Sequence, residues 1–280
     1  NPQSPIPNDK LNIQFKKKIF KIKKIMNGNR SEFINNIIIY KLIILIILFC
    51  QFLSNNVWKT IEFKYSKIIL KINGTGTQKV FCSQNDKDNK YSFLKKYYPG
   101  KVLINGEEQN NVKHSYYLNQ TNNTIELIWS NDINNCQNMF YECINITEID
   151  LSNFKSSLVI NTSYTFYNCK SLTSINLTNF VTSKVEYMHA MFSGCSSLTS
   201  LDLSYFDTSN VIWMDHLFYN CKKLTSINIT HFKTSKTTDF EYMFSGCLLI
   251  TSLDLSNLNT SLSRQMHYMF YNCPLLISLN

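Results

Sequence analysis

From residue 136 onward, apolar and polar positions recur on a beat of 26 residues, far longer than the period of any single helix or strand. The beat is marked by six cysteines, Cys143, Cys169, Cys195, Cys221, Cys247 and Cys273, each preceded three positions earlier by a phenylalanine. Three residues after each cysteine stands Ile146, Leu172, Leu198, Leu224, Ile250 or Leu276. Six after stands Ile149, Ile175, Leu201, Ile227, Leu253 or Leu279, and eight after Leu151, Leu177, Leu203, Ile229 or Leu255. A fixed period of this length marks units that bury their apolar faces only by stacking on one another.

The apolar pair six and eight residues after the cysteine alternates as a strand does. It predicts one short parallel strand per unit, with positions five, seven and nine facing outward. The second half of each unit runs as in Thr208, Ser209, Val211, Met214, Leu217, Phe218 and Cys221. Apolar residues about every three positions there predict a short helical or 3₁₀ segment on the convex side. The motif C-x-x-L-x-x-L-[DN]-L-[ST]-x-F contains a leucine-rich-repeat core. The expected fold class is therefore an α/β leucine-rich-repeat solenoid over residues 136–280. Its methionines and phenylalanines read as core filling, not as a cofactor box.

On the outward strand face, the middle position alternates Asp150, Asn176, Asp202, Asn228 and Asp254. Like charges directly opposite one another destabilise a sheet, and alternation doubles the separation of the carboxylates. The same 52-residue beat recurs as Tyr-Asn-Cys ending at 169, 221 and 273, against Ser-Gly-Cys ending at 195 and 247. These five outward residues are the candidate binding residues. No glycine-bearing loop gathers the oxygens a calcium ion needs, so no metal is expected there.

Residues 61–135 lack the beat and read as short strands split by Asn73-Gly74 and Asn105-Gly106 turns, a small β-rich N-terminal cap. Further upstream, residues 37–53 are almost wholly apolar and follow a lysine-rich leader, residues 1–36. Together they predict a signal or an uncleaved membrane anchor, with the repeats on the non-cytoplasmic side. Met26 offers an alternative start with a short basic region before the apolar run.

Charge narrows the partners. Residues 1–60 hold ten Lys/Arg against two Asp/Glu, or +8 of the chain's net +9. The repeats are nearly neutral, which removes the main support for nucleic-acid binding. Nine N-glycosylation sequons, Asn176 and Asn228 among them on the outward face, agree with an extracellular setting.

The six ladder cysteines read as buried thiols, since in an in-register stack each has two equivalent neighbours. Cys136 occupies a slot held by methionine in later units, and the sequence leaves its pairing with Cys82 open. No C-x-x-C or H-x-x-x-H motif is present. The five histidines do not share one repeat slot, and no nucleophile–base pair is recognisable, so neither an enzyme nor a cofactor is expected.

The run Met191-Phe192-Ser193-Gly194-Cys195-Ser196-Ser197-Leu198-Thr199-Ser200-Leu201-Asp202-Leu203-Ser204, followed by Phe206-Asp207-Thr208-Ser209-Asn210-Val211, closely resembles the BspA-like leucine-rich-repeat surface proteins. The likeness covers about residues 136–280. It implies a surface-exposed or secreted, non-enzymatic recognition or adhesion protein that binds an extracellular protein or glycan. The alternative is an intracellular interaction scaffold, which reduced ladder thiols would suit.

Overall fold

Each 26-residue unit closes into one coil, and successive coils stack in register. We number them 1 to 6 by their cysteines, Cys143 to Cys273. The structure, a computed structural model, describes residues 65–83 and 93–279. The basic leader at 1–36 and the apolar stretch at 37–53 lie outside the described residues. Among the described residues no helix is long and apolar enough to cross a membrane.

Two parallel ladders join the coils. The first consists of the short strands β7 (Ile146–Asp150), β8 (Ser174–Asn176), β9 (Ser200–Asp202), β10 (Ser226–Asn228), β11 (Ser252–Leu253) and β12 (Ser278–Leu279). They pair in parallel as β7–β8, β9–β10 and β11–β12, Leu201 for instance opposite Ile227. The second is a row of single parallel bridges through Asn135, Asn161, Tyr187, Trp213, Asp239 and Gln265.

The expected helical segments are absent, and with them the α/β class. The only helix among the described residues is a single 3₁₀ turn, Lys95–Tyr97, outside the repeats. The convex half of each coil is a run of turns in which backbone donors alternate between two uses. In coil 2 the N–H groups of Tyr164, Phe166 and Asn168 reach the carbonyls of His189, Met191 and Ser193 in coil 3. Those of Thr165, Tyr167 and Cys169 bond back three residues within their own coil. A helix would send every N–H along its own axis. The alternation is enforced by two left-handed residues per coil, such as Tyr164 at φ 57° and Asn168 at φ 54°, which interrupt right-handed winding. An apolar spacing of three residues fits such a chain of turns as well as it fits a 3₁₀ helix.

The core is a set of repeated stacks. Phe140, Phe166, Phe192, Phe218, Phe244 and Phe270 lie face to face with ring centroids 5.4–5.9 Å apart. Phe154, Phe180 and Phe206 form a second stack. Burying each ring contributes about 1.5–3 kcal/mol. The thiols of Cys169, Cys195, Cys221, Cys247 and Cys273 each donate to a phenylalanine carbonyl one coil earlier, at 3.1–3.3 Å. Burial pushes the Cys169 and Cys221 thiols up to about 12. The buried hydroxyl of Thr208 donates to the Lys233 carbonyl and accepts from the Lys233 N–H, and Thr234 repeats the pattern with Asn259. These hydroxyls satisfy backbone groups at bends where neither ladder reaches.

The six N-terminal strands divide between a sheet shared with coils 1 and 2 and a separate two-stranded antiparallel ribbon. They are β1 (Ser66–Asn73), β2 (Gly76–Lys79), β3 (Lys101–Ile104), β4 (Glu107–Glu108), β5 (Ser115–Leu118) and β6 (Asn122–Trp129). β1 lies antiparallel between β6 and β7, so one six-stranded sheet runs in the order β4-β3-β6-β1-β7-β8. Ile68, Leu70 and Ile72 of β1 are fully buried over the first coil.

Candidate functional site

The five polar residues of the outward strand face form a row, and each is engaged locally. Oδ1 of Asp150, Asn176, Asp202, Asn228 and Asp254 accepts the backbone N–H two residues on, at 2.9–3.4 Å. This Asx turn ends each strand. It also explains why Asp and Asn interchange: both offer the same acceptor oxygen. The Ser204 backbone N–H holds Asp202 below the usual carboxylate range, and the Ser256 hydroxyl does the same for Asp254. Asn228 also donates a side-chain hydrogen bond to Asp202 across the row.

A different face carries the denser chemistry. Five residues before each cysteine stands a left-handed residue: Asn138, Tyr164, Ala190, His216, Tyr242 and Tyr268. Two before stand Tyr141, Tyr167, Ser193, Tyr219, Ser245 and Tyr271. In-register stacking turns these slots into rows of rings. Tyr141 stacks on Tyr167 at 4.8 Å, His216 on Tyr242 at 4.9 Å, and Tyr242 on Tyr268 at 4.9 Å. Coil 3 breaks the rows with Ala190 and Ser193. The result is an open depression of about 500 Å³, walled by Tyr164 and Tyr167 on one side and His216 and Tyr219 on the other. Between Tyr164 and His216 stands the His189 ring, 4.6 and 5.6 Å from them, whereas Tyr167 and Tyr219 are two coil steps apart across Ser193, about 10 Å, which is room for one ring-shaped group.

Beneath this groove three side chains converge. His189 of coil 3 and Asp215 of coil 4 occupy the same slot, six before the cysteine, so stacking sets them side by side. His216 follows Asp215 directly, and its left-handed φ of 55° turns its ring to the same side. Nδ1 of His189 contacts Asp215 Oδ2, and Nδ1 of His216 meets the same oxygen at 3.2 Å. Nε2 of His189 lies 2.5 Å from the Tyr164 hydroxyl. Asp215 is 8 % exposed. Burial opposes its charge, but hydrogen bonds and charge from His189 and His216 outweigh burial and hold the carboxyl at about 2. In the next coil, burial pushes the Asp239 carboxyl up.

Among the described residues, His189, Asp215 and His216 are the one group of three or more His, Cys, Asp and Glu whose ligand atoms all lie within 4.8 Å. No linear motif announces this trio. The available signal was the wrapped sequence, in which positions 189 and 215 coincide. The rings of the groove were likewise invisible to a search for polar strand residues. A second depression, about 550 Å³ and lined by Lys96, Tyr97, Trp129 and Asp132, lies beside the N-terminal strands and gathers no comparable set.

Three overlapping stretches of the chain, residues 111–201, 134–250 and 197–278, match one family, described as Mycoplasma protein of unknown function, DUF285. No curated protein and no solved structure matches the chain.

Proposed function

The chain belongs to this repeat family, and from that premise we propose that it is a non-enzymatic cell-surface or secreted recognition protein that binds an extracellular glycan or protein through its ring-lined groove. The observation that carries the reading is the contrast between its two left-handed rows. Directly before the cysteine, coils 2 to 6 use Asn168, Gly194, Asn220, Gly246 and Asn272, residue types that tolerate positive φ, and only coil 1 departs, with Glu142. In the other row it holds Tyr164, His216, Tyr242 and Tyr268 in the same strained region. Strain at bulky residues collects where the side chain serves a purpose beyond packing. Here it projects aromatic faces from the stack, the kind of surface that takes up sugar rings or apolar side chains.

The likeness to BspA-like surface proteins supports the same reading. So does the order of basic leader, apolar stretch at 37–53 and sequon-bearing repeats. The row from Asp150 to Asp254 is a second contact surface in this proposal.

The test is binding of the full-length chain, expressed in eukaryotic cells, to an array of glycans and to host cells. Tyr167→Ser with Tyr219→Ser imports the residue that the chain itself places at Ser193 and Ser245, and should abolish binding with the fold retained. Unchanged binding would discard the groove. A glycosidase mobility shift reports the compartment, and its absence with cytosolic recovery would favour the intracellular scaffold instead.

A further inference from the structure

Independently of what the groove binds, we propose that His189, Asp215 and His216 form a site for a single divalent transition-metal ion of the zinc class, with its fourth position open to the tyrosine-lined depression. Two imidazoles and one carboxylate are a donor set suited to zinc and its neighbours, and three protein ligands leave a position for water or an incoming group. In a tetrahedral site with metal–ligand bonds of about 2.0–2.1 Å, the ligand atoms stand about 3.3 Å apart. Nδ1 of His216 and Oδ2 of Asp215 are already 3.2 Å apart. All three ligand atoms fall within 4.8 Å, so the remaining adjustment is an opening of the His189–Asp215 contact and an approach of the two imidazole nitrogens toward each other.

The surroundings are those of a supported site. With an ion on Nδ1, Nε2 of His189 carries its proton and donates to the Tyr164 hydroxyl 2.5 Å away, which fixes tautomer and ring orientation. The His216 ring is clamped by stacking on Tyr242 at 4.9 Å. Asp215 is buried, with its Oδ2 between the two imidazoles. The ligands sit on stacked turns that inter-coil hydrogen bonds hold in register, the N–H groups of Tyr164, Ala190 and His216 reaching the carbonyls of His189, Asp215 and Glu241, so they are pre-positioned. The backbone that delivers the trio is strained at His216, as functional positions often are.

The chain supplies its own fold-preserving variants. Ser163 occupies the His189 slot one coil earlier, and Asn138 occupies the His216 slot with the same left-handed backbone. The full-length chain, stripped by a chelator, is titrated calorimetrically with Zn²⁺ and spectroscopically with Co²⁺. The expected result is one tight equivalent per chain and visible Co²⁺ bands of a nitrogen–oxygen tetrahedral site. His189→Ser with His216→Asn should weaken Zn²⁺ by about 100-fold or more, and Tyr164→Phe, which keeps every ligand, by about tenfold. His267→Ser, in the same slot as His189 but on an exposed coil without the trio, should change nothing. Absence of binding, equal loss in His267→Ser, unchanged binding in the ligand variants, or a thiolate-to-cobalt charge-transfer band would each overturn the proposal.

Discussion

Alternation of Tyr-Asn-Cys with Ser-Gly-Cys has a steric cause that Gly194→Ala tests. Gly194 has a φ of 73°, and a Cβ built there would fall on Oδ1 of Asn168, the residue in the same slot one coil earlier. The same conflict exists between Gly246 and Asn220. Two terms add. An alanine in the left-handed region costs about 1–2 kcal/mol relative to glycine. Turning Asn168 aside costs about 1 kcal/mol in an off-rotamer side chain. Gly194→Ala should therefore destabilise the chain by about 2–3 kcal/mol, visible as a lowered urea midpoint with unchanged slope. In an Asn168→Gly background the collision is gone and only the backbone term of about 1–2 kcal/mol remains. The double-mutant cycle should return a coupling of about 1 kcal/mol. Strict additivity, or a Gly194→Ala cost below about 0.5 kcal/mol, would refute interlocking of large and small residues as the reason for the 52-residue beat.

Three other outcomes follow from the core. Phe192→Ala, at the middle of the phenylalanine stack and fully buried, should cost about 3–5 kcal/mol in denaturant unfolding, and a loss under 1 kcal/mol would mean that the stack is not the core. Thr208→Val strands the Lys233 N–H and carbonyl and should cost about 1–3 kcal/mol, whereas a neutral result would show that water satisfies that bend. The third concerns the raised thiols. Native Cys169 and Cys221, held near 12 by burial, carry almost no thiolate at pH 8. Iodoacetamide should modify them only after unfolding; rapid labelling of the native chain would contradict their burial.

The period was legible because its carriers, the phenylalanine and cysteine stacks, tolerate little variation in size and stand in line along the chain. The strand positions followed from the alternation at Leu201 and Leu203. The helical expectation failed because an apolar spacing of three cannot distinguish a 3₁₀ helix from consecutive turns. The distinguishing signal was present in Asn168, Gly194, Asn220, Gly246 and Asn272, which favour left-handed backbone in coils 2 to 6. The second left-handed row was not legible, because Tyr164, Tyr242 and Tyr268 have no such preference. The His189–Asp215–His216 group is absent from any linear pattern. It emerges only when 26-residue stacking converts a distance in sequence into a neighbour in space.

That second row yields the sharpest test of the functional reading. If its rings served the fold, asparagine there would be costly; if they serve a ligand, asparagine should be nearly neutral. Tyr164→Asn and Tyr242→Asn each relieve backbone strain of about 1–2 kcal/mol, since asparagine tolerates the left-handed region. Each also forfeits ring contacts worth about 0.5–1.5 kcal/mol per pair, such as that of Tyr242 on Tyr268 at 4.9 Å. The terms offset, so the double variant should stay within about 1–2 kcal/mol of the parent, unlike Phe192→Ala at about 3–5 kcal/mol. Binding to glycan or cell, read on the same full-length chain, should nevertheless disappear. Asn138 already occupies this slot in coil 1, so the backbone accepts the change. A double variant that unfolds would make the rings structural and remove the argument from strain. A folded variant that still binds would shift the contact surface to the row from Asp150 to Asp254.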